Sequence, residues 1–275
     1  MASKLVPSNP EKVMVIRDLV PRTITTLSVP FFRFGKIKIG GRGTIVRLQS
    51  GSLAVFSPVA LTDEVKRKVA ELGEVKYIAA LDAEHHIFLG PWSQAYPNAQ
   101  VLGPETLPEK RAKQKNEDVP FAFVFSKSKP ITTISPEFDE EFDWEYVPAH
   151  INKELVFHHK PTRSLITADL LFNLPATEQF SKTGVDANSG ILTKIFGALQ
   201  NTRGTAIWQQ RTIWYGTSSS DRPGFAQSMA RINKWDFERI IFCHGDVIES
   251  NGKSVFEKVF KWHLDLAKSD ATKRS

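Results

Sequence analysis

Cysteine is nearly missing from this 275-residue chain: Cys243 stands alone, so no intrachain disulfide can form. A lone thiol fits a reducing compartment, and a cytoplasmic location is the expectation. No apolar run approaches the roughly 20 residues that a membrane-spanning helix needs. Met1 to Lys12 lacks the apolar stretch of a secretory signal. An excess of one charge is also lacking: 36 basic residues face 30 acidic ones, for a net charge of +6. The densest basic cluster, Lys110, Arg111, Lys113 and Lys115, is diluted by Glu109, Glu117 and Asp118. It reads as a solvated loop face rather than a nucleic-acid stripe. Neither nucleic acid nor membrane is therefore an expected partner. Internal repeats and low-complexity tracts are missing too.

What is present is an ordinary globular composition, 41% hydrophobic and 24% charged, long enough to bury a sizeable core. Residues 43–48 and 53–56 read as two strands around the turn Gln49–Ser52. Thr62 caps a helix with Val65, Val69 and Leu72 at helical spacing, closed by Gly73. Val75 to Ala80 follows as a buried strand. A short helix after Trp92 and strands near 99–102 and 121–125 come next, with 109–119 read as a polar loop. Phe142 to Val147 alternates with period two. Glu154–His159 and Ser164–Ala168 pair as a hairpin, and Ile191 to Leu199 reads as a helix. Phe225, Met229 and Ile232 mark a further helix, 239–242 a short strand, and Val255, Val259, Trp262 and Leu266 a C-terminal helix. Strand-then-helix order in both halves predicts a layered α/β (α+β) fold. One domain spanning 1–275 is expected, with similar halves at about 20–140 and 141–268 and an insertion or lid at 174–204.

Four segments carry the chemistry. Ala83-Glu84-His85-His86, Val147-Pro148-Ala149-His150, Leu165-Ile166-Thr167-Ala168-Asp169 and Ile241-Phe242-Cys243-His244-Gly245 each place a His or Asp just after a short apolar run or in the loop that follows one. Strand ends hold side chains firmly while the following loops leave them open. A set of imidazoles with a carboxylate suits zinc, iron or manganese.

These segments resemble the metallo-β-lactamase fold superfamily, in a domain-of-unknown-function branch, from about Gly41 to His263. Pro148-Ala149-His150, followed nineteen residues later by Asp169, is similar to the superfamily's third and fourth motifs, with Ala149 and Ala168 where glycines are usual. His244 before Gly245 resembles the fifth. The second motif, His-x-His-x-Asp-His, is degenerate: Leu81 and Ala83 replace two histidines, His85 stands at the Asp, and His86 at the last His. The resemblance implies a four-layer αββα sandwich. It leaves the first metal position only His150 and Asp169, and implies one divalent ion, zinc or else iron or manganese, on His86, Asp169 and His244. His85 or His150 would complete the set.

The expected activity is hydrolysis of a small organic substrate, a lactone, ester, thioester or amide, with Asp169 and His150 as catalytic groups. The pocket is expected between the 86–92 loop, the 174–204 insertion and the 244–250 loop. The alternative is a non-catalytic binding or scaffold protein that has lost its metal. His158 and His159 read as surface or packing residues, His263 as a surface residue, Cys243 as a small buried hydrophobe, and Gly40 to Gly43 as a turn.

Overall fold

The computed structural model describes residues 8–273. The chain opens with α1 (Pro10–Val13), β1 (Val15–Val20), β2 (Ile24–Val29), β3 (Phe32–Arg33), β4 (Ile37–Lys38), β5 (Gly41–Arg47) and β6 (Ser52–Phe56). Then come α2 (Asp63–Leu72), β7 (Glu74–Ala79), α3 (Leu89–Ala95), β8 (Gln100–Pro104), α4 (Leu107–Lys113) and β9 (Phe121–Phe125). The next stretch holds α5 (Pro136–Glu141), β10 (Phe142–Val147), β11 (Glu154–His159), β12 (Ser164–Thr167), α6 (Thr177–Phe180) and α7 (Ile191–Leu199). It closes with α8 (Ile207–Thr212), a π-turn (Ile213–Thr217), α9 (Arg222–Ile232), β13 (Arg239–Phe242), α10 (Gly252–Val259) and α11 (Lys261–Thr272).

A seven-stranded sheet runs β1-β2-β5-β6-β7-β8-β9, and a four-stranded sheet runs β10-β11-β12-β13. Their facing side chains form the central core: Phe56, Tyr77 and Leu102 from the first meet Phe157, Ile166 and Ile241 from the second. The outer face of the large sheet packs Ile45, Val55 and Ile78 on Val65, Val69 and Trp92 of α2 and α3. The outer face of the small sheet packs Val156, Leu165 and Phe242 on Phe225, Met229 and Phe256 of α9 and α10. The order helix, sheet, sheet, helix is the four-layer sandwich. Both faces of each sheet are covered, so strands such as β11 are buried at every position.

Several local expectations hold in detail. The Thr62 hydroxyl accepts from the Val65 amide at 3.2 Å, capping α2. Others are corrected. The expected polar loop at 109–119 begins as α4, because Arg111 is buried and bonds the carbonyls of His86 and Glu117. Gly41 to Gly43 continue β5 rather than turning; only Gly40 turns, at φ +70. The single C-terminal helix is two, broken at Phe260. Strands β1 and β2 had no counterpart in the sequence reading. No helix among the described residues is long and apolar enough to cross a membrane.

His263 is buried, not on the surface. It is 1% exposed and packs against the rings of Trp214, Phe225 and Phe260. The Ser218 hydroxyl donates to the Ile213 carbonyl, so it accepts from His263 Nε2 at 2.9 Å. Burial, with help from Arg222, pushes the imidazole from 6.5 down to about 4. The unfolded chain therefore takes up this proton first as pH falls. Stability is intact above 6.5 and should drop by about 3 kcal/mol as pH falls through that value toward about 4. Urea titrations across that range should show the slope, and His263→Phe should flatten it by a similar amount. An unchanged slope would contradict the assignment.

Candidate metal centre

Strand register brings the key groups together. β12 and β13 run parallel with Thr167 opposite Phe242. Two residues further along each chain, Asp169 and His244 emerge side by side at the strands' C-terminal ends, where open α/β sheets gather ligands. Gly245 allows the turn, because its φ is +91 and a Cβ there would lie 2.2 Å from the Asn173 carbonyl oxygen. On the other sheet, β7 ends at Ala79 and the chain turns through Asp82. The Asp82 carboxylate accepts from the amides of Glu84 and His85, both at 2.8 Å, an Asx turn that aims His85 back at the small sheet.

The result is a cluster of His85, Asp169 and His244, whose donor atoms all lie within 4.8 Å of one another. His85 Nε2 is 3.0 Å from His244 Nε2, which is 3.3 Å from Asp169 Oδ1. The outer partners decide where the protons sit. The Gly40 carbonyl only accepts, so His244 Nδ1 donates to it at 2.7 Å and Nε2 presents its lone pair. The Asp82 carboxylate takes the His85 Nδ1 proton at 2.8 Å. Two ring nitrogens thus face each other beside a carboxylate oxygen that is buried and has no hydrogen-bond partner. Such a triangle needs a cation between its corners, either one proton or a metal ion. A tetrahedral ion with bonds of about 2.0–2.1 Å separates its ligands by roughly 3.3 Å, so the donor set fits one.

Electrostatics agree with the geometry. Burial opposes a charged Asp169, yet His244, 3.3 Å from Oδ1, and the nearby His85 and His150 hold it well below the usual carboxylate range. Burial disfavours a protonated His85, but Asp82, aided by Cys243, outweighs it and holds the imidazole well above its ordinary value. The His244 ring is itself fixed, stacked on Phe172 at 5.0 Å with Phe31 beyond.

The other anticipated site residues lie elsewhere. His86 does not join the cluster: neighbouring side chains on the turn diverge, and its ring faces Arg111, 3.3 Å from Nδ1. Burial with Lys110 and Arg111 pushes it down to about 4. His150 is buried behind the cluster. Its Nδ1 accepts from the Asn152 amide, leaving Nε2 with its proton and no partner, 3.6 Å from Glu154. Leu81 is packed in the central core.

Several supporting residues escaped the sequence reading. Glu154 is fully buried and accepts from the amides of Ala168 and Asp169, fixing the turn that carries Asp169. Burial, then Asp82 and Asp169, push it well above the usual carboxylate range. Asn152 donates to Asp169 Oδ2 at 2.7 Å and turns Oδ1 toward the histidines. The one available sequence signal was the Asp82-to-His85 spacing of an Asx turn. Glu154 and Gly40 carried none, being distant in sequence from what they hold.

The cluster lies on the wall of a cavity of about 440 Å³. Its other walls come from residues 29–42, 57–59 and 84–88, and no residue of 174–204 lines it, which corrects the expected placement. The lining is mostly apolar: Val29, Phe31, Phe34, Ile39, Val59 and Phe88.

The sequence matches the family model "Domain of unknown function (DUF4336)" over residues 32–187. The chain belongs to that family. The match takes in His85, His86, His150 and Asp169, while His244 lies beyond it. This DUF4336 chain has the metallo-β-lactamase fold. It is similar to the DIM-1 metallo-β-lactamase at TM-score 0.57 and 11% identity, over 94% of this chain and 97% of that one. It is similar to FIM-1 from Pseudomonas aeruginosa in its mono-zinc form at TM-score 0.55 and 10% identity, over 95% and 98%. The Flv1 flavodiiron core from Synechocystis aligns at TM-score 0.60 and 11% identity, over 92% of this chain and 62% of that one. No curated protein matches the sequence.

The support given to His85 predicts a graded response. Asp82→Asn should weaken zinc binding about 10–100-fold, the usual cost of losing a group that orients a ligand. His86→Ala should leave zinc affinity unchanged, because that ring points at Arg111. Titration against a competing chelator checks both, and loss of zinc in His86→Ala alone would reverse the assignment.

Proposed function

We propose that the protein is a metal-dependent hydrolase that holds one divalent ion, zinc in the first instance, on His85, Asp169 and His244. The carrying observation is the pair of opposed imidazole nitrogens beside a partnerless buried carboxylate oxygen. Such an ion supplies Lewis acidity toward a carbonyl and an activated water near neutral pH. The chain does the rest. Asp82 and the Gly40 carbonyl set the tautomers of His85 and His244. Asn152 and Glu154 orient Asp169, whose low proton affinity keeps it an acceptor. His150 holds a proton on Nε2 behind the cluster, outside the cavity lining. The apolar walls exclude water and fit the organic part of a lactone, ester, thioester or amide.

Elemental analysis of untagged protein after zinc reconstitution tests this. Near one equivalent is expected, with protons released as the ligands take up the ion. Turnover of an ester, thioester, lactone or amide panel should vanish with chelator and return with zinc. Protein that takes up no metal would overturn the reading. It would favour a non-catalytic scaffold, the second reading, which Leu81 and Ala83 at former ligand positions support.

A further inference from the structure

The hairpin β3–β4 and helix α7 expose an unusual amount of apolar surface beside the cavity. Phe34 is 78% exposed, Ile191 78%, Leu192 52% and Ile195 55%. The three helical residues share one face of α7 at i, i+1 and i+4, while Thr193 on the opposite face accepts from the Lys38 amide at 3.2 Å. Lys38 Nζ also bonds the Ser189 carbonyl at 2.8 Å, so hairpin and helix form one unit. Arg33 joins their tips, its guanidinium 5.2 Å from the Phe34 ring and 5.8 Å from the Phe196 ring. Arg33, Phe34 and the exposed Ile87 all line the cavity, so the patch continues into its rim.

Two further features point to what meets this patch. Phe34 sits at φ +53, and a bulky side chain in the left-handed region signals strain. The Arg33–Lys36 turn needs φ > 0 at both central positions, where Asn or Gly is usual, and this chain presents an aromatic ring there instead. The charge of the hairpin and helix stretches is also one-sided, and Glu84, the acid on the cavity rim, is paired with Lys110 at 2.6 Å. No acidic residue occurs from Leu19 to Thr62 or from Ala187 to Ser220, the two stretches that carry the hairpin and the helix. Lys36 and Lys194 are exposed there, and Arg33 has no carboxylate partner among the described residues. The nearest acid in sequence, Asp186, is turned to the Asn188 amide.

An apolar helix face ringed by basic side chains is the pattern that lies in the headgroup boundary of an anionic bilayer. We infer that the β3–β4 hairpin tip and the outer face of α7 dock on an anionic lipid surface, seating the cavity mouth against it. Phe34, Ile191, Leu192 and Ile195 enter the boundary, and Arg33, Lys36 and Lys194 meet the phosphates. Docking of this kind is peripheral and needs no spanning helix, and it holds independently of the hydrolase reading.

Vesicle sedimentation with the full chain tests it without metal or substrate. The chain should sediment with phosphatidylcholine vesicles containing phosphatidylglycerol, weakly with phosphatidylcholine alone, and less as salt rises. The Lys36→Glu/Lys194→Glu variant should bind anionic vesicles at least about 25-fold more weakly, from roughly fivefold for each basic side chain lost. Phe34→Ser/Ile191→Ser/Ile195→Ser should lose binding while keeping its melting temperature, since all three side chains face solvent. The proposal fails if wild type ignores anionic vesicles at low salt, or if the serine variant binds them as well as wild type does. It fails equally if wild type is a dimer that the serine variant dissolves and neither binds vesicles, for then a second copy covers the patch.

Discussion

Asp169→Asn should strip the metal and leave the fold intact. The amide keeps the size of the carboxylate but removes the charge that completes the triangle with His85 and His244. Loss of a group that merely orients a ligand costs about 10–100-fold in affinity, and a direct ligand should cost at least the upper figure. Zinc content after dialysis should fall from near one equivalent to a small fraction, and chelator-sensitive turnover with it. The Asn152 contact can survive as an amide–amide bond, and Glu154 bonds the backbone rather than the side chain, so the turn should hold. Unfolding curves of the metal-free variant and metal-free wild type should nearly coincide. A variant that binds zinc as wild type does, or that fails to fold, would show Asp169 to be structural and remove the basis of the hydrolase proposal.

Arg42→Met should produce the largest loss of stability. The Arg42 side chain is wholly buried, and its guanidinium bonds Ser28 at 3.1 Å, the Phe242 carbonyl at 2.8 Å, the Gly245 carbonyl at 2.6 Å and Glu178 at 3.2 Å. It pins β5 of the large sheet to the strand end that carries His244. Met fills much of the space but leaves two carbonyls unpaired and Glu178 with Arg17 as its remaining cation. Breaking a buried pair from one side costs about 3–5 kcal/mol. For a chain of this size that is a melting shift of roughly 5–9 °C. Calorimetry measures it directly. Zinc affinity should fall too, since the Gly245 turn loses its anchor. A shift below about 3 °C would mean that the guanidinium contributes little beyond its volume.

Much of the frame was legible in local pattern. The Thr62 cap, the alternation at 142–147, the hairpin around 160–163 and the run Ile240–Phe242 each advertise their structure through neighbours in sequence. The helix at 107–113 was not legible, because its reason for being ordered is Arg111 reaching His86, a contact across 25 residues. His263 misled for the same kind of reason: the aromatic shell that buries it comes from α9 and the π-turn.

The candidate site divides along that line. Local pattern was enough to put Asp169 and His244 at the ends of short apolar runs and His85 in the loop after one, since strand periodicity is a local property. Which histidine of the adjacent pair turns inward was decided by the tertiary structure, where Asp82 bends the backbone and Arg111 draws His86 away. Tertiary structure alone also set the parallel register that puts Asp169 beside His244, the carbonyl of Gly40 that fixes a tautomer, and the hairpin at residues 32–38 that walls the cavity. Each of these rests on atoms many residues apart in sequence, brought together only when the two sheets close on a common core.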